Sequence, residues 1–272
     1  MKPRMVFLRG GGLGDFILTL PLLKLAHLEQ FPVTLYARPS YLELLGSEWD
    51  WLDVEDLDEL SGNPPPYIRG CIAVSFWTDP GWYQELIHAG AIAVHQINPR
   101  PLSGKHFVIQ SSANMEWVIS EDFFKKPLLG NCWAGGENTL WIHPGSGGGS
   151  KNLPIGHFID YAHQWLDRDR CKNVIFSFGE ADKDRLSKIK SSAISKDPRT
   201  SIIQPPTILG LCDQLTKRAD KFVGNDSGPG HLAASLGIPV EIGFTNTSES
   251  VWRPIGPRVK TYFWDSDSSK IL

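Results

Sequence analysis

Met5-Val-Phe-Leu-Arg-Gly10-Gly-Gly-Leu-Gly-Asp15-Phe-Ile-Leu-Thr-Leu20-Pro-Leu-Leu-Lys-Leu25-Ala-His-Leu28, followed by Val33-Thr-Leu-Tyr-Ala37, decides the fold. Met5 to Leu8 is a short, unbroken apolar run, the pattern of a strand buried on both faces of a parallel sheet. It stops at a glycine run. Beyond it Phe16, Leu20, Leu23 and His27 recur at helical spacing, with Ile17 and Leu28 beside them, which predicts a helix with one apolar stripe. Strand, glycine turn, helix and strand make a βαβ unit.

The alternation continues. Cys71 to Phe76 and Ala91 to His95 are further strand candidates, Asn63 to Pro66 is a loop, and His106 to Ile119 reads as a helix. The pattern weakens from Pro99 to Gly136. It restarts with strands at Thr139–His143, Asn173–Phe178, Ser201–Ile203, Lys221–Val223 and Pro239–Phe244, and helices at Ile155–Leu166, Ala181–Ile194, Thr207–Lys217 and Pro229–Leu236. Two alternating halves predict two α/β sheets with helices on both faces, divided near Gly135-Gly136 into domains 1–136 and 137–272.

Composition is that of an ordinary globular protein: 41% hydrophobic and 21% charged residues, with 27 Lys+Arg against 30 Asp+Glu, exclude both a disordered chain and a polyanion-binding one. No apolar run approaches the roughly 20 residues of a spanning helix. The start does not read as a signal peptide, so a cytoplasmic protein is expected. Cys71, Cys132, Cys171 and Cys212 are far apart, with no CxxC pair or metal-spaced histidines, and read as reduced, mostly buried thiols.

Ligands in open α/β sheets bind beyond the carboxyl ends of the strands, where four loops stand out. In Arg9 to Asp15, the carboxylate of Asp15 caps the following helix, serves as a general base, or does both. Asp15 also stands where a third glycine would complete GxGxxG, and no Gly-Lys-Ser/Thr follows, so neither NAD nor ATP is specified. The loop from His143 to Pro154 offers backbone amides, the hydroxyls of Ser146 and Ser150, and the charge of Lys151, enough to cradle a diphosphate, although such a string also suits a plain surface loop. His143 itself reads as a strand-end hydrogen-bonding residue. Gly179-Glu180 ends another strand, where an acid either binds ribose hydroxyls or is simply solvated. Gly224-Asn-Asp-Ser-Gly-Pro-Gly-His231 joins a tight turn to a helix start; Asp226 and Ser227 are caps or anion ligands, and His231 falls in the first helical turn, within reach of a phosphate.

These strings resemble glycosyltransferase family nine, the heptosyltransferase family. The resemblance is carried by Arg9–Asp15 with Leu18-Thr-Leu-Pro21; by Ile142-His-Pro-Gly-Ser146 with Lys151-Asn-Leu-Pro154; by Phe222-Val-Gly-Asn-Asp-Ser-Gly-Pro229 with His231-Leu-Ala-Ala234 and Gly237-Ile-Pro239; and by Trp252, Pro254 and Gly256. It covers about residues 1–50 and 138–258. The resemblance implies a GT-B fold, two Rossmann-like doubly wound domains with a cleft between them. It further implies inverting transfer of a sugar of the heptose class from an ADP-sugar to a glycan or lipopolysaccharide-type acceptor, without a metal or other cofactor, in the cytoplasm or at the inner face of the membrane. By the same likeness Asp15 is the base, and Arg9, Gly12 and Gly14 lie on the acceptor side. Lys151, Ser146, Gly147, Asp226, Ser227, Gly228 and His231 hold the donor, and Glu180 its ribose. The chain departs from the family in its short first half, in Thr245 after Phe244, and in the bare glycines 147–149. A nucleotide-sugar-binding protein without transferase activity is the competing expectation, and a Rossmann oxidoreductase a more distant one.

Overall fold

The computed structural model describes residues 2–130, 133–136 and 138–264. The chain divides into two compact units, Met1–Phe123 and Phe124–Leu272. The division precedes the glycine pair at 135–136 because the stretch ahead of that pair is tied to the second unit. The amides of Leu128 and Leu129 donate to Ser235 O at 2.9 and 3.2 Å, and Gly256 N donates to Phe124 O at 3.2 Å.

In the first unit the strands are β1 (Met5–Leu8), β2 (Val33–Ala37), β3 (Asp53–Asp56), β4 (Ile72–Ser75) and β5 (Ala93–Gln96), with helices α1 (Leu13–Leu28), α2 (Pro39–Leu42), α3 (Pro80–His88) and α4 (Phe107–Asn114). The five strands form one parallel sheet in the order β3-β2-β1-β4-β5. β1, wholly buried, is central, as its unbroken apolar run requires. β3 carries Asp53, Glu55 and Asp56 at an edge, where charge discourages pairing with another chain; that charge also hid it from an apolar-run reading.

α1 departs from the single-stripe expectation. Leu18, Leu22 and Leu25 are buried as well as Phe16, Leu20 and Leu23, because the helix packs on both β2 and α4, while His27 and Leu28 in its last turn are exposed. The helix expected over 106–119 stops at Asn114, with Glu116 in the left-handed region at φ 59°.

The second unit contains β6 (Thr139–His143), β7 (Asn173–Ser177), β8 (Thr200–Ile203), β9 (Ala219–Asn225), β10 (Val240–Phe244) and β11 (Val259–Phe263). Its helices are α5 (Ile155–Leu166), α6 (Lys183–Ser191), α7 (Ile208–Arg218), α8 (Gly228–Ser235) and α9 (Glu249–Trp252). The order β11-β10-β9-β6-β7-β8 is parallel throughout. Renumbered within the unit, this is the 3-2-1-4-5-6 order of a Rossmann sheet. The helix expected over 181–194 is instead α6 between two short 3-10 turns, since Asp182 is turned back to cap Gly179 N. The expected strand at 221–223 is longer at both ends, so Gly224 and Asn225 belong to β9 rather than to the turn. Of the thiols, Cys71 is buried, Cys171 is exposed and Cys212 lies between, so burial holds for one of these three; Cys132 lies outside the described residues.

Candidate functional site

Each sheet reverses its direction of winding once, and the loops leaving the two strands at that point are where open α/β sheets bind ligands. In the first unit these loops follow β1 and β4; in the second they follow β6 and β9. The strings singled out from the sequence occupy three of these four positions.

After β1, Arg9 is almost fully buried, its guanidinium 4.2 Å above the Phe76 ring and 5.4 Å from that of Phe107. Arg9 Nη2 donates to Asp15 Oδ1 at 2.9 Å and Arg9 Nε to Asp15 O at 3.1 Å. Burial lowers the Arg9 pKa to about 10, and Asp15 opposes that fall. Gly12 N donates to Asp15 Oδ2 at 2.8 Å, closing the start of α1; Gly14 lies in its first turn. Asp15 is therefore cap and ion-pair partner together. Each carboxylate oxygen has two acceptor sites and spends one, which leaves capacity for an incoming hydroxyl. A Cβ on Gly11, at φ 102°, would stand 2.5 Å from Asp15 Oδ2, so this glycine allows the carboxylate its position.

In the second unit His143 of β6 lies beside Gly224 of β9. Asn225, fully buried, joins the two loops: its Nδ2 donates to Pro144 O at 2.5 Å and Asn152 Oδ1 at 3.1 Å, and its Oδ1 accepts from Leu153 N at 2.9 Å. The β6 loop is thereby folded over the start of α8. Lys151 Nζ reaches Asp226 Oδ2 at 2.9 Å, Thr247 Oγ1 donates to the same oxygen at 2.8 Å, and His231 Nε2 lies 3.7 Å from Asp226 Oδ1. Burial alone would raise the Asp226 pKa, but His231 and Lys151 outweigh it and hold it at about 2.

Two polar atoms at this place have no partner although both residues are at least nine-tenths buried: Ser227 Oγ and His231 Nδ1. Buried polar atoms are normally satisfied. Here they stand at the start of α8, where Gly230 N and His231 N are already spent on Ser227 O at 3.0 and 3.2 Å, Pro229 has no N–H, and the amide of Gly228 has no intrahelical acceptor. Lys151 has two further donor positions besides the one on Asp226. The arrangement suits an anion rich in acceptor oxygens.

The other candidate residues of the second unit lie on the loops that follow β6 and β7. Ser146 is buried and donates to Gly148 O at 2.7 Å; Gly147 is exposed, with nothing within 4 Å of a Cβ built on it. Glu180 is exposed at the carboxyl end of β7. His143 is buried, pairs with Ser177 Oγ at 3.0 Å and approaches Asp182 Oδ2 at 3.6 Å; burial pushes its pKa down to about 4, so it is neutral at neutral pH. That is the strand-end role expected of it. Asn225 and Thr247 join the site without a signal of their own in the sequence. Asn225 sits inside the quoted string, and its burial was the missing signal. Thr247 arrives from the loop after β10, with no local mark in the sequence.

Two parallel sheets, one in Rossmann order and with an anion-suited turn at its reversal point, define a doubly wound α/β protein. Residues 113–270 match glycosyltransferase family 9 (heptosyltransferase), and the chain belongs to that family. The glycine loop bearing Asp15 lies outside the matched segment. A Haemophilus influenzae protein named "Putative glycosyltransferase" is 27% identical over 165 residues, a match spanning 58% of this chain and 43% of that protein. The E. coli heptosyltransferase WaaC with ADP superposes with a TM-score of 0.67 at 12% identity, over 96% of this chain and 93% of that one. E. coli ADP-heptose LPS heptosyltransferase II gives 0.68 at 14% identity, over 95% and 90%. A family 9 glycosyl transferase from Veillonella parvula gives 0.68 at 15%, over 96% and 86%. At these identities the likeness to solved structures is one of fold. No helix among the described residues is long and apolar enough to cross a membrane.

Proposed function

We propose that the chain is an inverting glycosyltransferase of the GT-B type that moves a heptose-class sugar from an ADP-linked donor to a hydroxyl of a glycan or lipopolysaccharide-type acceptor, without a metal, in the cytoplasm or at the inner face of the membrane. The second unit binds the donor and the first supplies the base. The observation that carries the reading is the cluster at the start of α8, where Lys151, Asp226 and His231 meet beside the unpartnered Ser227 Oγ and His231 Nδ1. ADP and ADP-heptose in the names of the structurally similar proteins support the choice of donor.

In this mechanism Asp15 takes the proton of the acceptor hydroxyl, whose oxygen attacks the anomeric carbon from the face opposite the nucleotide. The bond from that carbon to the phosphate oxygen breaks, and the diphosphate departs with the electron pair. Lys151, the Ser227 hydroxyl and the Gly228 amide at the start of α8 stabilise the charge, a fixed electrostatic arrangement of the kind that dominates many enzymes. Ser146, Gly147, Gly228 and His231 complete the diphosphate cradle, and Glu180 takes the ribose hydroxyls. Arg9 holds Asp15, with Gly12 and Gly14 shaping the acceptor side.

Calorimetric titration with ADP and ADP-heptose tests the site. Binding of both is expected, weakened about 10- to 100-fold in Lys151→Met, the loss of one charge-assisted hydrogen bond. Absence of binding by any nucleoside diphosphate would overturn the reading.

A further inference from the structure

The first unit holds a pocket of about 450 Å³ at the carboxyl ends of β1 and β4, within the roughly 300–1,000 Å³ of small-molecule sites. Its apolar walls are Trp77, Trp82, Leu57 and Leu60. The two indoles meet edge to face at 74°, 6.3 Å between centres, forming a corner. Trp82 is fixed by its Nε1 donating to Ser75 Oγ at 3.0 Å, while Trp77 remains 39% exposed. The polar groups at the rim are Asp58, Ser61, Asn63 and Asp79, and no Lys, Arg or His lines the pocket among the described residues. The pocket adjoins the loop of Asp15: a Cβ on Gly10 would lie 3.0 Å from Trp77 and 3.7 Å from Leu57, so that glycine lets the loop rest against the wall.

We infer that this pocket seats a pyranose unit of the acceptor that carries no negative charge. The inference rests on the transferase reading above. A pyranose offers an apolar C–H face and a rim of hydroxyls, which match an indole corner edged by carboxylates and an amide. An acidic or phosphorylated sugar would bring its charge to Asp58 and Asp79 with no cation in the wall to answer it, a like-charge arrangement that selects against such partners.

Saturation-transfer NMR and tryptophan fluorescence on the full chain test this with methyl glucoside, lactose, glucosamine, glucuronate and glucose 6-phosphate. The neutral and amino sugars are expected to bind and the two anionic ones to bind at least about tenfold more weakly. Trp77→Ala should cut the affinity for lactose at least about tenfold, the loss of an aromatic anchor, and Trp77→Phe should retain most of it, with thermal melting checking that both variants fold. Failure of every neutral sugar to bind, anionic probes binding as well as neutral ones, or an unchanged Trp77→Ala would overturn the assignment. ADP titrated into the same samples separates the two readings. ADP binding without sugar binding removes the pocket alone, whereas sugar binding without ADP binding removes the transferase assignment.

Discussion

Arg9 and Asp15 form an ion pair 2.9 Å long whose side chains are 2% and 13% exposed. Pairing at this depth is costly to break from one side, because the remaining charge has no water to return to. Arg9 also lies over the Phe76 and Phe107 rings, so its own position is set by packing. The guanidinium thereby becomes a fixed mount for the carboxylate, and Gly12 N fixes the other oxygen.

Asp15→Asn keeps the shape and an acceptor for Arg9 but cannot take a proton. Sugar transfer is expected to fall at least about 100-fold, with ADP affinity unchanged. Near-normal transfer by this variant would remove Asp15 from the base role. Asp15→Ala should in addition cost about 3 kcal/mol of stability by stranding Arg9, read by urea unfolding.

Asp226 ties stability to pH. Its folded pKa, about 2, lies below the ordinary value of 3.8. Its contribution is present above the unfolded value and lost as pH falls through the folded one, that is, from about pH 4 toward pH 2. The difference corresponds to about 2 kcal/mol. Urea unfolding of the protein and of Asp226→Asn should show a gap at pH 6 that closes toward pH 2. A gap independent of pH would contradict the charge account.

Gly145 and Gly147 should respond oppositely to substitution. A Cβ on Gly145 would lie 2.0 Å from Asp182 Oδ1, and Asp182 is itself held by Gly179 N at 2.8 Å. Gly145→Ala is expected to lower stability by about 1–3 kcal/mol, the usual range for overpacking. Gly147→Ser meets nothing within 4 Å and should leave the melting temperature within about 1 °C of the parent. Equal melting of the two variants would show that the β6 loop is not packed as described.

Thr247→Val removes the hydroxyl that donates to Asp226 Oδ2 at 2.8 Å while keeping the side-chain shape. With that donor gone, Lys151 alone shares this oxygen and is drawn more fully to it, leaving less of its charge for a diphosphate. ADP affinity should fall by a factor of about 5–10, the worth of roughly one hydrogen bond. Unchanged affinity on calorimetry would remove Thr247 from the site.

The central strands were legible because β1 and β6 are buried on both faces and can therefore carry only apolar runs. β3, α3, α9 and β11 were not, being half-exposed elements whose charged or mixed composition matches loops equally well. Asp15, Lys151, Asp226 and His231 could be nominated because small glycine-rich strings surround them. The pocket of Trp77 and Trp82 could not, since its walls come from separated loops with no shared pattern.

Two alternating α/β halves, the glycine loops at their strand ends and the likeness to a sugar-transferring family are legible in the residues read in order. Periodicity, glycine and chain order are local properties, readable one segment at a time. That Lys151, His231 and Thr247 share one carboxylate, that Arg9 is spent on Asp15, and that Ser227 Oγ and His231 Nδ1 are left without partners emerges once the chain is folded. Those outcomes depend on which strands become neighbours, and strand order is set by packing the whole sheet rather than by any one stretch of residues.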